Sequence, residues 1–233
     1  MFTNTVGQLT QEGAAMLRAL TILAMLWAGA AATAGVWMQG PGNGQVIVSA
    51  YPGTSAASSY SGLYAEFGLT PRLTAGLDTG RAVSGNAKAV VFVRRALPVP
   101  GLKGLTGLTA AAELGVGRIA RQAVLRPGLS LGRSISGALG QGWVSIDTLA
   151  EIGLTRRTLD FKTDMTIGLR PRDGLRAMLQ LQAGQSPDDP PFARLVPSLV
   201  MDLGGGMQLE LGLAHTLRGP RHTGAKIALW RRF

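Results

Sequence analysis

The chain has no cysteine and only two histidines, His215 and His222. A disulfide framework is therefore excluded. A transition-metal centre is not expected, because such sites draw on thiolate and imidazole ligands. No cofactor is expected either. Charged residues are scarce, at 15%, and unevenly split, with 23 Lys+Arg against 13 Asp+Glu for a formal net charge of +10. Long apolar runs are missing although hydrophobic residues make up 46% of the chain. Only Ala19 to Ala34 approaches a membrane helix, and a span needs about 20 apolar residues. A bundle of membrane helices is thus excluded. The basic surplus points to anionic partners: lipopolysaccharide phosphates, acidic sugars or nucleic acid. No nucleic-acid motif is visible, so nucleic acid is not expected as a partner.

The apolar run itself follows Arg18 and ends in Ala32-Thr33-Ala34. One positive charge, a short apolar stretch and a small-x-small site read as a secretory signal over residues 1–34. The alternative is an uncleaved anchor, for which the run is short. Residues 1–15 carry no basic residue, whereas Met16-Leu17-Arg18 would open a more conventional signal. Met16 is accordingly read as the true start. Cleavage would remove Arg18 and Glu12 together and leave the net charge unchanged.

From Gly35 onward no segment has helical periodicity. Stretches of about ten residues alternate apolar and polar between turn signals, the pattern of a strand with two unlike faces. Met207, Leu209, Leu211 and Leu213 alternate with Gln208, Glu210, Gly212 and Ala214. Leu63, Ala65, Phe67 and Leu69 alternate with Tyr64, Glu66, Gly68 and Thr70. About twelve such segments are expected, an even number as in single-chain barrels: 43–51, 60–70, 72–80, 86–96, 105–117, 123–133, 142–154, 157–169, 174–184, 192–203, 206–217 and 222–233. They occupy residues 35–233 as one domain. The connections alternate in length, short at Thr70-Pro71-Arg72, Arg170 to Gly174 and Gly204-Gly205, with Leu97 to Gly104 as an exception.

The last segment ends on Phe233, with Ile227, Leu229 and Phe233 on one parity and Lys226, Trp230 and Arg232 on the other. It resembles the closing strand of bacterial outer-membrane barrels, whose assembly machinery reads a terminal Phe. Alternation alone fits a soluble β-sandwich as well, with the apolar parity inward. The signal, the even count and the terminal Phe favour an antiparallel up-and-down transmembrane β-barrel, with the apolar parity facing lipid. The charged parity then lines a lumen. Its candidates are Glu66, Asp78, Lys88, Glu113, Asp147, Glu151, Asp160, Lys162, Asp164, Arg176, Glu210 and Lys226, with Arg94, Arg126 and Arg194 on the same parity. Glycines share that parity and make room for larger inward neighbours.

Candidate chemistry is sparse. A Ser–His pair for ester cleavage would need Ser130 or Ser198 beside a histidine, and nothing in the sequence brings them together. Asp160 and Asp164 lie about 13 Å apart along one strand face, too far for glycoside hydrolysis. They read as lumen ion pairs with Lys162 between them. Asp188-Asp189, between prolines, reads as a solvated turn rather than a Ca²⁺ site. Arg118, Arg121, Arg156, Arg157, Arg218 and Arg221 gather at the expected outer strand ends, where guanidinium forks suit lipopolysaccharide phosphates or anions. Trp37, Trp143, Trp230, Tyr51 and Tyr60 fall near strand ends, as an aromatic belt would.

Gly35-Val36-Trp37, Gly44 to Ser49, Leu63 to Gly76 and the ending Gly224 to Phe233 are together similar to a family of predicted proteobacterial outer-membrane barrels, the XagA-like proteins. The resemblance implies an export or surface-assembly role linked to exopolysaccharide or biofilm, and it brings no catalytic residues. Arg231 departs from it by standing on the lipid-facing parity, where a long side chain can snorkel to headgroups. The expected function is a non-enzymatic outer-membrane barrel, a narrow channel or accessory for anionic or saccharide material. Its expected partners are outer-membrane lipids, lipopolysaccharide and the barrel-assembly machinery. Two alternatives stand beside it: a lipid- or lipopolysaccharide-modifying enzyme, and a structural barrel of a secretion complex.

Overall fold

A computed structural model describes residues 35–52, 59–83, 85–99, 107–138, 140–186, 190–219 and 223–233. The signal segment, Asp188-Asp189, Arg221 and His222 lie outside the described residues. Twelve strands follow in order: β1 Gly44–Tyr51, β2 Tyr60–Thr70, β3 Leu73–Ala82, β4 Ala87–Leu97, β5 Leu108–Ile119, β6 Gln122–Gly137, β7 Gly140–Gly153, β8 Leu159–Arg172, β9 Leu175–Gln185, β10 Phe192–Gly204, β11 Met207–Arg218 and β12 Thr223–Arg232. Each pairs antiparallel with its sequence neighbour, and β1 pairs with β12, so the sheet closes into a barrel without edges. The largest departure from the expected boundaries is in β6, expected to stop at 133 and running to Gly137.

Side-chain alternation decides which face is which. Val91, Val93, Leu114, Val116, Met165, Ile167, Leu211, Leu213, Ile227 and Leu229 are all exposed, while their alternate neighbours are covered. An apolar surface that circles the whole barrel is untenable in water, and in lipid it is the matching solvent. The strands are long enough to cross when tilted. The barrel is thus built to span a membrane.

Two prolines stand inside strands. Proline has no N–H to give to a ladder. The β6–β7 register skips Arg126 and Pro127, and the β10–β11 register skips Val196 and Pro197. Each strand keeps its other neighbour through the gap, with Pro127 opposite Leu114 and Pro197 opposite Leu179.

Closure is made at the chain's end. Gly44 N donates to Phe233 O at 2.8 Å, and Phe233 N donates to Gly44 O at 3.1 Å. The Phe233 ring covers Gly44 so closely that a β-carbon there would stand 2.7 Å from it. Arg231 turns its guanidinium onto the Gly205 carbonyl, which carries its charge to the turn.

Nothing in the sequence foretold where residues 35–43 go. They turn into the barrel at the end where β1 begins. Gly42 N donates to Gly68 O at 3.0 Å and Gly68 N to Asn43 O at 2.9 Å. Gly68 is required here, because a β-carbon would meet the Gly40 carbonyl oxygen at 2.2 Å. Gln39 N donates to Thr74 Oγ1, and Val36 is fully buried. The interior is therefore partly packed, with Val90, Val196 and Val200 also buried.

Candidate functional site

The lumen is the candidate site, and its first wall is a chain of alternating charges. Lys88 Nζ stands 2.8 Å from Asp78 Oδ1, and Arg126 Nη1 is 2.6 Å from Asp78 Oδ2. Arg126 Nη2 then meets Glu113 Oε1 at 3.0 Å, and Arg94 Nη2 meets Glu113 Oε2 at 2.8 Å. Arg94 Nη1 completes the chain with Glu66 Oε1 at 2.5 Å. Five strands, β2 to β6, are tied together by these forks. Glu66 also accepts from Tyr64 Oη, Gln39 Nε2 and Gln45 Nε2. Arg126 is only 1% exposed. Buried charges persist only when paired and hydrogen-bonded, and here each guanidinium serves two carboxylates.

Phe92 organises that wall. The guanidinium carbons of Arg94 and Arg126 lie 5.3 and 5.5 Å from its ring centroid, and Tyr64 stacks at 5.6 Å. The ring fits because Gly76 faces it across the β3–β4 ladder.

The facing wall is looser. Lys162 Nζ bonds Glu151 Oε2 at 2.7 Å, and Lys226 Nζ pairs with Glu210 Oε1 at 2.7 Å. Trp230 Nε1 donates to Glu210 Oε2. This corrects the expectation for Lys162: it reaches across to β7 rather than pairing with Asp160 or Asp164 on its own strand. Lys162 faces Leu149 in the β7–β8 ladder and Glu151 is its diagonal neighbour, so the long ammonium stem reaches that acid as readily as the acids two places away on its own strand. Asp160 stands opposite Glu151 near the strand end, and Asp164 stands opposite Asp147.

A cavity of about 460 Å³ lies between the walls. Of the lumen candidates, Asp78, Lys88, Asp147, Glu151, Lys162, Asp164, Glu210 and Lys226 line it, along with Arg94, Arg126 and Arg194. Glu66 and Glu113 are buried behind the guanidiniums, and Asp160 lies outside the cavity. Arg176 is also buried beyond the cavity, at the end where the chain closes. There it donates to Gln208 Oε1, and its guanidinium lies 5.5 Å from the Trp230 ring, with Arg232 at 5.8 Å from the same ring. Gln180 and Gln182 add amides to the cavity lining.

The aromatic belt expectation is overturned. Tyr51, Tyr60 and Trp230 line the cavity, and Trp37 reaches Gly132 in the interior. Trp143 packs inward over Gly168. For three of the rings the physical reason is a glycine that opens space inside: Gly168 opposite Trp143, Gly80 under Tyr60 and Gly132 under Trp37. A reading that paired aromatics with glycines on adjoining strands, available once register is known, would have found Trp143 and Tyr60.

Arg118, Arg121, Arg156, Arg157 and Arg218 are exposed at the barrel end away from the two strand termini. His215 lies on the outer face, where Nδ1 is 2.9 Å from Thr223 Oγ1. Ser130 and Ser198 are buried on the opposite, inner parity. Neither can meet His215 through the sheet.

No family model and no curated protein sequence matches the chain. Its backbone is similar to solved outer-membrane barrels. The NanC porin superposes with a TM-score of 0.60 at 8% identity, covering 80% of this chain and 98% of that one. The KdgM porin gives 0.58 at 6% identity, covering 81% and 99%. An outer-membrane channel from Pseudomonas putida F1 gives 0.54 at 10% identity, covering 88% and 100%. These likenesses concern the fold.

Proposed function

We propose that the barrel is a narrow, non-enzymatic channel for small anionic solutes, acidic saccharides foremost. The observation that carries this reading is the cavity of about 460 Å³, walled by guanidiniums, ammoniums, carboxylates and amides. Such a surface can replace the water shell of a polar solute, and its cations meet carboxylate or phosphate groups as they pass. The exposed arginines at one mouth and the Arg176–Trp230–Arg232 group at the other add cations along the path. A KdgM porin has been solved in complex with disordered oligogalacturonate, an acidic saccharide, and that barrel is similar in backbone. The XagA-like resemblance extends the proposal to exopolysaccharide and biofilm material as the cargo.

The test is reconstitution in planar bilayers and in liposomes. We expect small single-channel steps, weak ion selectivity because the walls are charge-balanced, and faster uptake of acidic than of neutral oligosaccharides of equal length. A barrel that inserts but passes no current would leave the structural reading in its place. The exopolysaccharide link is tested separately, by surface polysaccharide yield with and without the gene.

A further inference from the structure

Asp147 is a lumen carboxylate that stands in no ion pair among the described residues. It stands directly opposite Asp164 in the β7–β8 ladder, so two acids face each other. Lys162 is engaged with Glu151, Lys226 with Glu210, and Arg94 with Glu66 and Glu113, while Arg194, which lines the same cavity from β10, acts on Asp164 rather than on Asp147. Ser145 Oγ reaches Asp147 Oδ2 at 3.4 Å and Ser130 faces the carboxylate across the β6–β7 ladder, yet Asp147 Oδ1 is buried with no partner at full hydrogen-bond geometry among the described residues. A buried carboxylate oxygen left so is costly.

Gly35 lies against this carboxylate. Arg94 Nη1 holds its carbonyl at 2.7 Å. A β-carbon built on Gly35 would fall 2.6 Å from Asp147 Oδ1 and 2.7 Å from Oδ2. That point is one of the three tetrahedral positions around the Gly35 Cα–C bond, and the nitrogen occupies another. A third of a turn about that bond carries the nitrogen to the carboxylate, at the separation of a charge-assisted hydrogen bond. The turn is free only when no peptide precedes Gly35. Ala32-Thr33-Ala34, a small-x-small cleavage pattern, stands immediately before it.

We propose that the chain is cut between Ala34 and Gly35, and that the Gly35 α-ammonium so created binds Asp147 and pins residues 35–40 across the lumen as a plug. The cut is a hydrolysis by a signal-peptidase-class enzyme. Water adds across the Ala34–Gly35 amide, Ala34 leaves with the carboxylate, and Gly35 keeps the amine, which is protonated at neutral pH. The ammonium supplies an ion-pair partner for Asp147, which has none among the described residues. Its carbonyl, held by Arg94, joins the plug to the charge chain of the opposite wall. Only the effect on conductance rests on the channel reading; the processing and the ion pair do not.

The full-length gene is expressed, the barrel is purified from membranes, and its first residue is read by amino-terminal sequencing. The folded and urea-unfolded protein are then treated with an amine-acylating reagent, and the amino-terminal peptide is followed by mass. We expect Gly35 as the first residue and roughly tenfold slower acylation of its amine in the folded barrel, as one charge-assisted bond would give. Asp147→Asn should abolish that protection and raise single-channel conductance. Should Asp147→Asn fail to fold, one alanine inserted between Ala34 and Gly35 displaces the ammonium, leaves the barrel residues untouched and should do the same. A different first residue, or acylation equally fast in folded and unfolded protein, overturns the proposal. If the variants lose protection while every form is silent in bilayers, the ammonium site stands and the channel reading fails.

Discussion

Arg94 and Glu66 form the shortest ion pair of the lumen, 2.5 Å from Nη1 to Oε1, with both side chains buried. The same Nη1 holds the Gly35 carbonyl at 2.7 Å, and Nη2 holds Glu113 at 2.8 Å. One guanidinium thus connects the wall to the leading segment. Arg94→Ala would leave buried Glu66 without a cation and Glu113 with Arg126 alone, at a cost of about 3–5 kcal/mol. We expect a lower urea midpoint, followed by the mobility difference between heated and unheated protein, and higher conductance from a loosened plug. Arg94→Lys should recover only part of the loss, because an ammonium lacks the planar fork that serves Glu66, Glu113, the Tyr64 hydroxyl and the Gly35 carbonyl at once.

Trp143 packs onto Gly168, and a β-carbon at Gly168 would stand 2.2 Å from the indole. The backbone beneath cannot retreat, since Trp143 and Gly168 face each other in the β7–β8 ladder. Gly168→Val should therefore destabilise the barrel by about 1–3 kcal/mol, the usual range for overpacking. Trp143→Ala on its own removes packing and destabilises as well. In the double variant the two losses should fall well short of additive, because the collision is gone. Strict additivity in urea unfolding would mean that the ring does not occupy this site.

Phe233 has two roles that can be separated. Its backbone closes the barrel onto Gly44, and its ring covers Gly44 from outside. Phe233→Ala preserves both backbone hydrogen bonds. If the ring is the signal that the barrel-assembly machinery reads, we expect the substitution to reduce the folded barrel recovered from cell membranes several-fold while leaving folding into detergent micelles nearly unchanged. Gly44→Val instead collides with the ring and should impair both. Equal behaviour of the two variants in cells and in micelles would sink the address reading of Phe233.

Much of this architecture was legible before any coordinates. The parity of Met207 to Ala214 and of Leu63 to Thr70 is set by which side chains tolerate lipid, and that chemistry is local. Strand limits followed from the same alternation, so the expected 60–70 matches β2 from Tyr60 to Thr70. Pairing partners were not legible. Lys162 could be set on the inner face, but its choice of Glu151 over Asp160 depends on β7–β8 register, a property of two strands at once. The inward turn of Tyr60 and Trp143 needed glycines on the adjoining strand, Gly80 diagonal to Tyr60 and Gly168 opposite Trp143, for the same reason. The course of residues 35–43 was hidden because their binding groups, Gly68, Thr74 and Arg94, come from β2, β3 and β4.

Lys226 and Glu210 face each other across a cavity wall, 2.7 Å apart, with Trp230 Nε1 holding the second carboxylate oxygen at 3.1 Å. Their charges cancel locally, which is why the lumen is expected to discriminate weakly between small ions. Lys226→Met removes the cation and keeps the bulk, so the Glu210 carboxylate stands alone beside the permeation path. The reversal potential in a salt gradient should move toward cations by a several-fold change in permeability ratio, because a charge in a low-dielectric wall acts strongly on a nearby ion. Glu210→Gln should move it the other way, toward anions. The double variant should return close to the parent, since both members of the pair are then neutral. If neither single variant shifts the reversal potential, ions do not pass this wall, and the pair serves only to hold β11 and β12 together.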